Sequence, residues 1–469
     1  MKNTLLVKNV GSKLTHALVI FSVLLSLCGS SIPAHAAVST WQKAAYMNST
    51  SPNDLASSSF QKSVDNLAQT GANKVILLIQ LRQTNLTTTD ITASSTTPTD
   101  AALLSAINYI HAKGMQVGLS LHDDSDTGVW RAFINPLDRV GWFMHYGSFL
   151  NKYAVIAQQN NVKSMIIGTE YIYMTSPSVN ATNTANWQGL IRNVRARFAG
   201  TLTYSAQPGG NNELTAIGFW PQLDQIGISA YYRMTTNANP NPTIATIKQF
   251  WDYWNKSEIT PIALKYHKPI IFAEVGYASR DGALASPGSA WALTTPANPT
   301  LQANGYQGLF EYWNTQPLIV GINLWNWSTD PNAGGANDTD YIPQNKPAQQ
   351  IMTNWFRYNG QPQPAASFTS SLLQPGAAVV VGASTTISAQ TRSSQPVNGK
   401  ILDYEIFDAN GARVNQAYFV NQVLDTTVRP NNFNWTPPVA GTYTVWAGVF
   451  EPNWSKLDSW KQAGVVVVH

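Results

Sequence analysis

The residues best placed to do chemistry are two glutamates, each of which closes a short apolar run. Glu274 lies near the end of Lys268-Pro-Ile-Ile-Phe-Ala-Glu-Val-Gly-Tyr277, and Glu170 lies near the end of Ser164-Met-Ile-Ile-Gly-Thr-Glu-Tyr171. An uninterrupted apolar run of this length is typical of a parallel strand that is covered on both faces. In a barrel of such strands, the reactive groups lie at the C-terminal ends of the strands.

Two carboxyl groups in these positions indicate the hydrolysis of a glycosidic bond. One carboxyl group gives a proton to the leaving oxygen, and the other attacks the anomeric carbon or activates water. A single glutamate at a strand end is more often the ion-pair partner of an Arg or Lys. Two such glutamates, each followed by a Tyr within three residues, favour catalysis over that structural role.

The elements that would position these glutamates alternate between strands and helices over residues 37–358. Amphipathic stretches such as Asp100–Lys113 and Gly141–Asn160 have apolar residues at helical spacing. Eight segments have the character of strands: Gln42–Met47, Lys74–Gln80, Gln116–Leu121, Ser164–Gly168, Thr201–Ser205, Gln225–Ala230, Pro269–Ala273 and Gly321–Leu324. This alternation predicts a (β/α)8 TIM barrel. A doubly wound open sheet is the alternative, but no Gly-rich phosphate turn follows the first strand.

A Pro- and Gln-rich linker over residues 359–367 follows a final predicted helix, Pro347–Arg357, and the pattern then changes. Residues 368–469 contain short alternating runs separated by turns, which predict a small all-β Ig-like sandwich domain. The runs are Thr385–Thr391, Leu402–Phe407, Arg413–Val420, Thr442–Val449 and Gly464–Val468. Trp446, Trp454 and Trp460 are candidates for a carbohydrate-binding face, although tryptophans in a sandwich more commonly lie in the core or at the rim.

Residues 1–36 have the form of a signal peptide, with three lysines, an apolar core from Ala17 to Leu27, and the small-x-small site Ala34-His-Ala36. We therefore expect a secreted, extracellular protein. Leu27 precedes the sole cysteine, Cys28, where a lipoprotein site would have a small residue. No later segment offers about 20 consecutive apolar residues, so we expect no membrane anchor after cleavage. Cleavage after Ala36 would also leave a chain without thiols.

The composition excludes a strongly basic nucleic-acid surface. The formal net charge is +4, and removal of the three signal-peptide lysines would leave about +1. Charged residues make up only 12% of the chain and aromatic residues 11%. Aromatic rings stack on sugar faces and amides bind hydroxyl groups, so this balance fits a protein that handles neutral sugars. The same balance is equally consistent with the ordinary composition of extracellular proteins of any function.

Five segments resemble glycoside hydrolase family 113, within the clan of retaining (β/α)8 glycosidases, and occur in the order seen in that family. They are Gly168–Tyr171, Asp224–Tyr232, Lys268–Tyr277, Gly321–Trp327 and Lys346–Ala348. The resemblance runs from about Trp41 to Trp355. It implies that Glu170 is the acid/base after strand four and Glu274 the nucleophile on strand seven. It further implies that Tyr231 bonds to the nucleophile and that Trp325 lies under the sugar at the cleavage point.

The loop after strand three, Leu121-His-Asp-Asp-Ser125, and the segment Val129-Trp-Arg131 resemble the family's His-x-Asp and Trp-Arg segment, which faces substrate. The resemblance implies that His122 and Asp124 hold sugar hydroxyls and that Trp130 faces the substrate. The chain departs from the pattern in two places. Leu121 stands where proline is expected, and Thr169 stands where most of the clan has asparagine.

Two further features have a functional and a structural interpretation. His122, Asp123, Asp124 and Asp126 are potential metal ligands, but they lack a second cluster and the Gly-containing pattern of a calcium loop. We therefore expect no metal and no other cofactor. In the pairs Tyr231-Tyr232 and Trp325/Trp327, we expect at most one member to face the sugar, because strand neighbours point to opposite faces.

The leading hypothesis is a secreted retaining glycosidase that cleaves a β-linked polysaccharide by double displacement with two glutamates. β-1,4-Mannan is the first candidate substrate because the family resemblance implies it. The alternatives are another β-hexosan, the producer's own exopolysaccharide, and a non-catalytic glycan-binding barrel, which the presence of both glutamates disfavours. We expect a monomer whose partner is a polysaccharide or oligosaccharide. The choice between endo and exo cleavage stays open.

Overall fold

The computed structural model describes residues 41–361, 366–373 and 378–469. The predicted signal peptide, Cys28 and residues 362–365 of the predicted linker lie outside these ranges. The chain divides into two compact units, Met1–Pro362 and Gln363–His469. In the described ranges, no helix is both long enough and apolar enough to span a bilayer.

The first unit is a closed barrel of eight parallel strands, which confirms the predicted fold. The strands are β1 (Gln42–Asn48), β2 (Lys74–Gln83), β3 (Gln116–Ser125), β4 (Ser164–Thr169), β5 (Thr201–Ala206), β6 (Ile226–Ser229), β7 (Ile270–Val275) and β8 (Ile319–Leu324). The ring closes because β1 pairs with both β2 and β8. A two-residue strand, Thr92–Ala93, pairs antiparallel with the end of β2.

Helices cover the outside of the barrel between successive strands. They are α1 (Ser58–Gln69), α2 (Asp100–Ala112), α3 (Arg139–Gln159), α4 (Asn183–Arg195), the single turn α5 (Glu213–Ala216), α6 (Ile244–Trp254), α7 (Pro299–Trp313) and α8 (Pro347–Tyr358). A π-helical turn joins α6 to a further helix, Thr260–Tyr266. Their apolar faces explain why β4 and β7 are buried along their whole length.

The end of β3 is the main difference from the sequence-based boundaries in the barrel. The strand continues four residues beyond Leu121 because it stays paired with β2 as far as Gln83 opposite Ser125. Alternation along this extension places His122 and Asp124 on one face and Asp123 on the other. The extension therefore carries two of the predicted site residues to the C-terminal rim of the barrel.

The second unit consists of two antiparallel sheets, which supports the predicted sandwich; its Ig-like class stays a prediction. The strands are β9 (Phe368–Leu373), β10 (Thr385–Ser393), β11 (Val397–Phe407), β12 (Arg413–Leu424), β13 (Pro430–Trp435), β14 (Gly441–Phe450) and β15 (Leu457–Val468). The sheet orders are β9-β10-β13 and β12-β11-β14-β15. Both sheets contribute to one core, in which the rings of Tyr404 and Phe433 stack at 6.0 Å.

Candidate active site

A cavity of about 690 Å³ opens at the C-terminal ends of the barrel strands. It brings together six of the predicted site residues: His122, Trp130, Glu170, Tyr231, Glu274 and Trp325. The seventh, Asp124, lines a neighbouring cavity of about 290 Å³ that also contacts His122 and Trp325. Side chains from five different strands, or from the loops that follow them, thus converge at this site.

Glu170 follows β4 and is held in an unusual backbone conformation. Its φ angle is +57°, a left-handed value that few side chains adopt, and its N–H donates to the carbonyl of Ser205 at 2.9 Å. The indole Nε1 of Trp130 donates to Glu170 Oε2 at 2.9 Å. Burial, helped by the negative charge of Glu274, raises the pKa of Glu170 to about 7. A carboxyl group with this pKa can act as an acid and then as a base near neutral pH.

Glu274 lies in β7 and is only 4% exposed. The Tyr231 hydroxyl donates to Glu274 Oε2 at 3.2 Å. Burial raises the pKa of Glu274 to about 7, although the Arg131 guanidinium and the Tyr231 hydrogen bond both oppose this rise. Both carboxyl groups therefore have neighbours that stabilise their charge, and the charge of Glu274 disfavours ionisation of Glu170. The arrangement favours a state in which one carboxyl group is ionised and the other is protonated.

His122 is a neutral imidazole whose proton position follows from its neighbours. Burial, with the Arg131 charge, lowers its pKa well below the ordinary value. Arg131 Nη1 lies 2.9 Å from His122 Nδ1, and because a guanidinium can only donate, Nδ1 accepts and Nε2 carries the proton. Nε2 lies 3.2 Å from Glu274 Oε1 but is not aligned for a hydrogen bond within the described structure. This N–H is therefore free to reach a bound hydroxyl group.

Asp124 anchors Arg131 in a two-point ion pair. Arg131 Nε and Nη2 donate to the two carboxylate oxygens at 2.8 and 3.1 Å, and Gln80 Nε2 donates to Oδ2 at 2.7 Å. Burial would raise the pKa of Asp124, but the charge and the hydrogen bonds of Arg131, together with the Gln80 hydrogen bond, lower it below the ordinary value. The Asp124 side chain is still 37% exposed, so its remaining lone pairs face the neighbouring cavity.

The two aromatic pairs are divided between the cavity and the core, as expected. The half-buried Trp325 lies nearly parallel to the His122 ring, with 5.9 Å between centroids and 6° between planes, and its peptide bond to Asn326 is cis. Trp327 is fully buried and donates from Nε1 to Ser63 Oγ. Tyr231 lines the cavity, whereas its neighbour is packed against the indoles of α6.

The potential metal ligands of the β3 loop are separated. Asp123 is fully buried on the opposite face from Asp124, and Asp126 pairs with Arg82 at 2.9 Å. Across residues 41–361, 366–373 and 378–469, no three His, Cys, Asp or Glu side chains form a group suited to a metal ion.

The cavity residues that were not identified from the sequence include four with large polar or aromatic side chains: Gln207, Arg233, Trp291 and Tyr341. All four follow strand ends in loops without a periodic pattern. Tyr341 is buried, packs edge-on against Tyr231 at 6.2 Å, and donates from its hydroxyl to the carbonyl of Pro287. For Trp291, the sequence shows only a Trp in the long loop after strand seven. That feature does not distinguish a cavity residue from an ordinary surface residue.

Comparison with known proteins assigns the barrel to a family. The model of glycoside hydrolase family 113 matches residues 45–346. Two solved structures of a GH113 β-1,4-mannanase, one of them a complex, each have 25% identity and a TM-score of 0.58, over 68% of this chain and 99% of theirs. The GH113 β-mannanase AaManA from Alicyclobacillus acidocaldarius, in complex with ManMIm, has 22% identity and a TM-score of 0.58, over 68% of this chain and 97% of its own.

The similarity to AaManA, at 22% identity, supports the fold alone. No protein of curated function matches the sequence. The family model nevertheless covers more than half of the chain, including both glutamates and the strands that carry them. The chain therefore belongs to glycoside hydrolase family 113.

Proposed function

We propose that this glycoside hydrolase is a secreted retaining enzyme that cleaves a β-linked polysaccharide, with β-1,4-mannan as its first candidate substrate. The observation that carries the proposal is the pair of buried glutamates at the ends of β4 and β7 in one cavity, with unlike electrostatic surroundings. Retaining hydrolysis needs one ionised and one protonated carboxyl group at the same sugar.

In the first step, ionised Glu274 attacks the anomeric carbon while Glu170 gives its proton to the leaving oxygen. The bond to the leaving sugar breaks, and a glycosyl ester forms on Glu274. The Tyr231 hydroxyl, which donates to Glu274 Oε2, holds the carboxylate in the orientation for attack. Formation of the ester removes the negative charge that had raised the pKa of Glu170.

In the second step, Glu170 is ionised and acts as the base. It takes a proton from water, the water oxygen attacks the anomeric carbon, and Glu274 leaves as a carboxylate. The returning charge on Glu274 then raises the pKa of Glu170 again, so Glu170 keeps the proton that it took from water and is ready for the next cycle. The Trp130 N–H bond to Glu170 Oε2 supports the ionised form during this step.

The remaining cavity residues are suited to hold a neutral sugar. Trp325 offers a half-buried indole beside the two glutamates, and the His122 Nε2–H and the Asp124 oxygens offer a donor and acceptors for hydroxyl groups. Mannan is favoured over other β-hexosans because two solved structures that share the barrel at 25% identity are of a GH113 β-1,4-mannanase. Secretion rests on the N-terminal sequence.

The test is hydrolysis of a polysaccharide panel with product sizing and proton NMR of the first products. We expect cleavage of β-1,4-mannan above cellulose, xylan and β-1,3-glucan, with the β-anomer formed first and the α-anomer appearing only by mutarotation. Initial release of the α-anomer would overturn double displacement, and preference for another hexosan would overturn mannan. The Glu274→Gln protein serves as the control for contaminating activity.

A further inference from the structure

Glu213 is a buried carboxyl group outside the catalytic cavity that the proposed reaction does not use. It begins α5 and is 1% exposed. In the described structure it has no Lys, Arg or His partner, yet both oxygens accept hydrogen bonds. Tyr204 OH and Thr175 Oγ1 donate to Oε1 at 2.7 and 3.0 Å, and the backbone N–H of Gln207 donates to Oε2 at 2.7 Å. A buried carboxyl group without a cation is costly, so its contacts indicate its role.

The hydrogen bond from Tyr204 connects Glu213 to Glu170. Because the Tyr204 hydroxyl donates its proton to Glu213, its oxygen is left to accept, and it accepts from the N–H of Tyr171 at 2.7 Å. Tyr171 directly follows Glu170, whose φ angle is +57°. A strained backbone conformation persists only where surrounding contacts fix it, and this hydrogen bond fixes the peptide on the C-terminal side of Glu170.

The hydrogen bond from the Gln207 N–H connects Glu213 to the wall of the cavity. Gln207, whose N–H bonds to Glu213 Oε2, lines the same cavity as Glu170. The third contact reaches Thr175 at the end of the one-turn helix Ile172–Thr175, which begins two residues after Glu170. One carboxyl group therefore links the segments after β4 and β5 on either side of the acid/base.

We propose that Glu213 is a positioning residue that holds Glu170 in the orientation needed to transfer a proton to the leaving oxygen. This inference rests on the proposed function, in which Glu170 is the acid/base. It acts through Tyr204 and the Tyr171 peptide, without contact between Glu213 and the sugar.

Glutamine cannot replace Glu213 in this role, although it has nearly the same shape. Glu213 accepts on both oxygens, whereas a glutamine has one oxygen and one NH2 group. In Glu213→Gln, either the Tyr204 hydroxyl or the Gln207 N–H must therefore face another donor. If Tyr204 turns to bond elsewhere, the Tyr171 peptide loses its acceptor and Glu170 can shift.

The experiment compares kcat/KM on manno-oligosaccharides, whose leaving group needs a proton, with kcat/KM on an aryl β-mannoside whose leaving group does not. Since small misplacements of a reacting group can cost up to about a hundredfold, we expect Glu213→Gln to lower the first value by roughly tenfold to a hundredfold. The second value should change by less than about threefold. General destabilisation would lower both values equally, so an equal fall, or no fall, overturns the inference.

Glu258→Gln is the matched control. Glu258 is a partly buried glutamate that accepts from a backbone N–H of the same loop, that of Gly209, at 3.0 and 3.1 Å. These hydrogen bonds do not connect it to Glu170. Its two kcat/KM values should stay near the parent's. Should Glu213→Gln fail to fold, Tyr204→Phe decides the question, because it removes the intervening hydroxyl and keeps the ring; it should show the same selective loss.

Glu170→Ala, measured in parallel, separates the two proposals. If Glu170→Ala does not distinguish the two substrates, the proposed function fails. If Glu170→Ala distinguishes them and neither Glu213→Gln nor Tyr204→Phe does, only the positioning role fails.

Discussion

Glu170 and Glu274 both have a raised pKa, and burial is the largest cause at each residue. At Glu274, the Arg131 charge and the Tyr231 hydroxyl oppose burial. At Glu170, the charge of Glu274 adds to the effect of burial, while the Arg131 charge and the Trp130 hydrogen bond oppose both. When two carboxyl groups interact this closely, the protons leave in two steps that belong to the pair. The proposed assignment of Glu274 as the nucleophile therefore rests on its position in β7 beside the Tyr231 hydroxyl and on the family resemblance.

Glu274→Gln tests that assignment. The substitution removes the charge with almost no change in shape, so the melting temperature should stay close to that of the parent while turnover on mannan falls by roughly a thousandfold or more. Turnover within about tenfold of the parent would rule out Glu274 as the nucleophile.

Glu170→Ala tests the acid/base. The variant should lose most activity on polysaccharide, while an activated aryl glycoside should still form the glycosyl ester. Added azide should then restore turnover and give a β-glycosyl azide, because a small anion needs no base to attack. The measurement is aryl release with and without azide, with NMR of the product. If azide has no effect and polysaccharide hydrolysis persists, another residue supplies the proton.

Asp123 is a third residue with a raised pKa, and it affects stability rather than catalysis. It is fully buried, neither carboxyl oxygen has a hydrogen-bond partner in the described structure, and burial raises its pKa well above the ordinary 3.8. The folded protein therefore keeps this proton, whereas the unfolded chain releases it near pH 4. Asp123 therefore contributes fully to the free energy of unfolding below about pH 4. That contribution is lost as the pH rises from about 4 toward the pKa of Asp123 in the folded protein.

Asp123→Asn should remove that loss, since an amide does not ionise in either state. We expect a higher melting temperature than the parent's at pH 8, with the difference shrinking as the pH approaches 4, and unchanged activity because the side chain faces away from the cavity. Scanning calorimetry at pH 5 and pH 8 measures this. Parallel pH dependence in the two proteins would show that Asp123 does not carry the effect.

At the scale of elements, the apolar strands could be predicted and the polar ones could not. All eight barrel strands were identified because burial on both faces requires an apolar run. The polar extension of β3 and the sandwich strands β9 and β13 were missed. β13 contains Pro430, Asn431, Asn432 and Asn434, residues with low strand propensity, and it lies at the edge of its sheet. Only Phe433 and Trp435 are buried in it, too few for a recognisable alternation.

The site could be predicted where a residue belongs to a strand end, and not where a loop brings it in. The position of Trp291 depends on contacts far apart in sequence: Tyr341 donates to the carbonyl of Pro287, and Arg233 Nε donates to that of Ala285 at 3.0 Å. Gly288 lies directly against Tyr231, where an added Cβ would come within 3.3 Å of the ring-bearing carbon. No local pattern encodes such contacts.

These contacts hold the loop after β7 in place, and Trp291 is 69% exposed at the cavity. We therefore expect its indole to offer an aromatic surface to a second sugar. Trp291→Ala should raise KM for longer manno-oligosaccharides by about threefold to tenfold, equivalent to roughly 0.5–1.5 kcal/mol of stacking. It should leave an aryl monosaccharide substrate unaffected. Tyr253→Ala, at a 59% exposed aromatic outside the cavity, is the control and should change neither. Equal KM increases for both substrates would argue against a separate sugar position.

At the scale of the whole molecule, every residue of the candidate site belongs to the first unit. A chain that ends at Gln361 keeps all eight strands and α8. It should therefore fold and hydrolyse soluble manno-oligosaccharides at the parent's rate, which circular dichroism and kinetics can check. A truncated barrel that is unfolded, or inactive on soluble substrate, would contradict the proposal of an independent catalytic domain.

The same truncation should lower retention on insoluble mannan if the sandwich binds glycan. Trp446, Trp454 and Trp460 lie outside the hydrophobic core of the sandwich, where the buried tryptophan is Trp435. The rings of Trp446 and Trp460 are nearly parallel, at 6.0 Å and 18°, and Trp460 is 36% exposed. Trp460→Ala should therefore weaken pull-down on insoluble mannan without lowering the melting temperature of the sandwich. A lower melting temperature with unchanged pull-down would show that Trp460 is a structural residue.

The pairing of β1 with β8 sets a limit on the order in which the barrel can form. Gln42 and Asn323, joined by a side-chain hydrogen bond across this seam, are 281 positions apart in the chain, and an added Cβ at Gly321 would come within 2.5 Å of the Gln42 carbonyl oxygen. The edge of β1 therefore stays unpaired until β8 has been synthesised and can pair with it. A nascent chain halted before β8 would be prone to pair with its neighbours, so chaperone dependence should be greatest during that interval of synthesis.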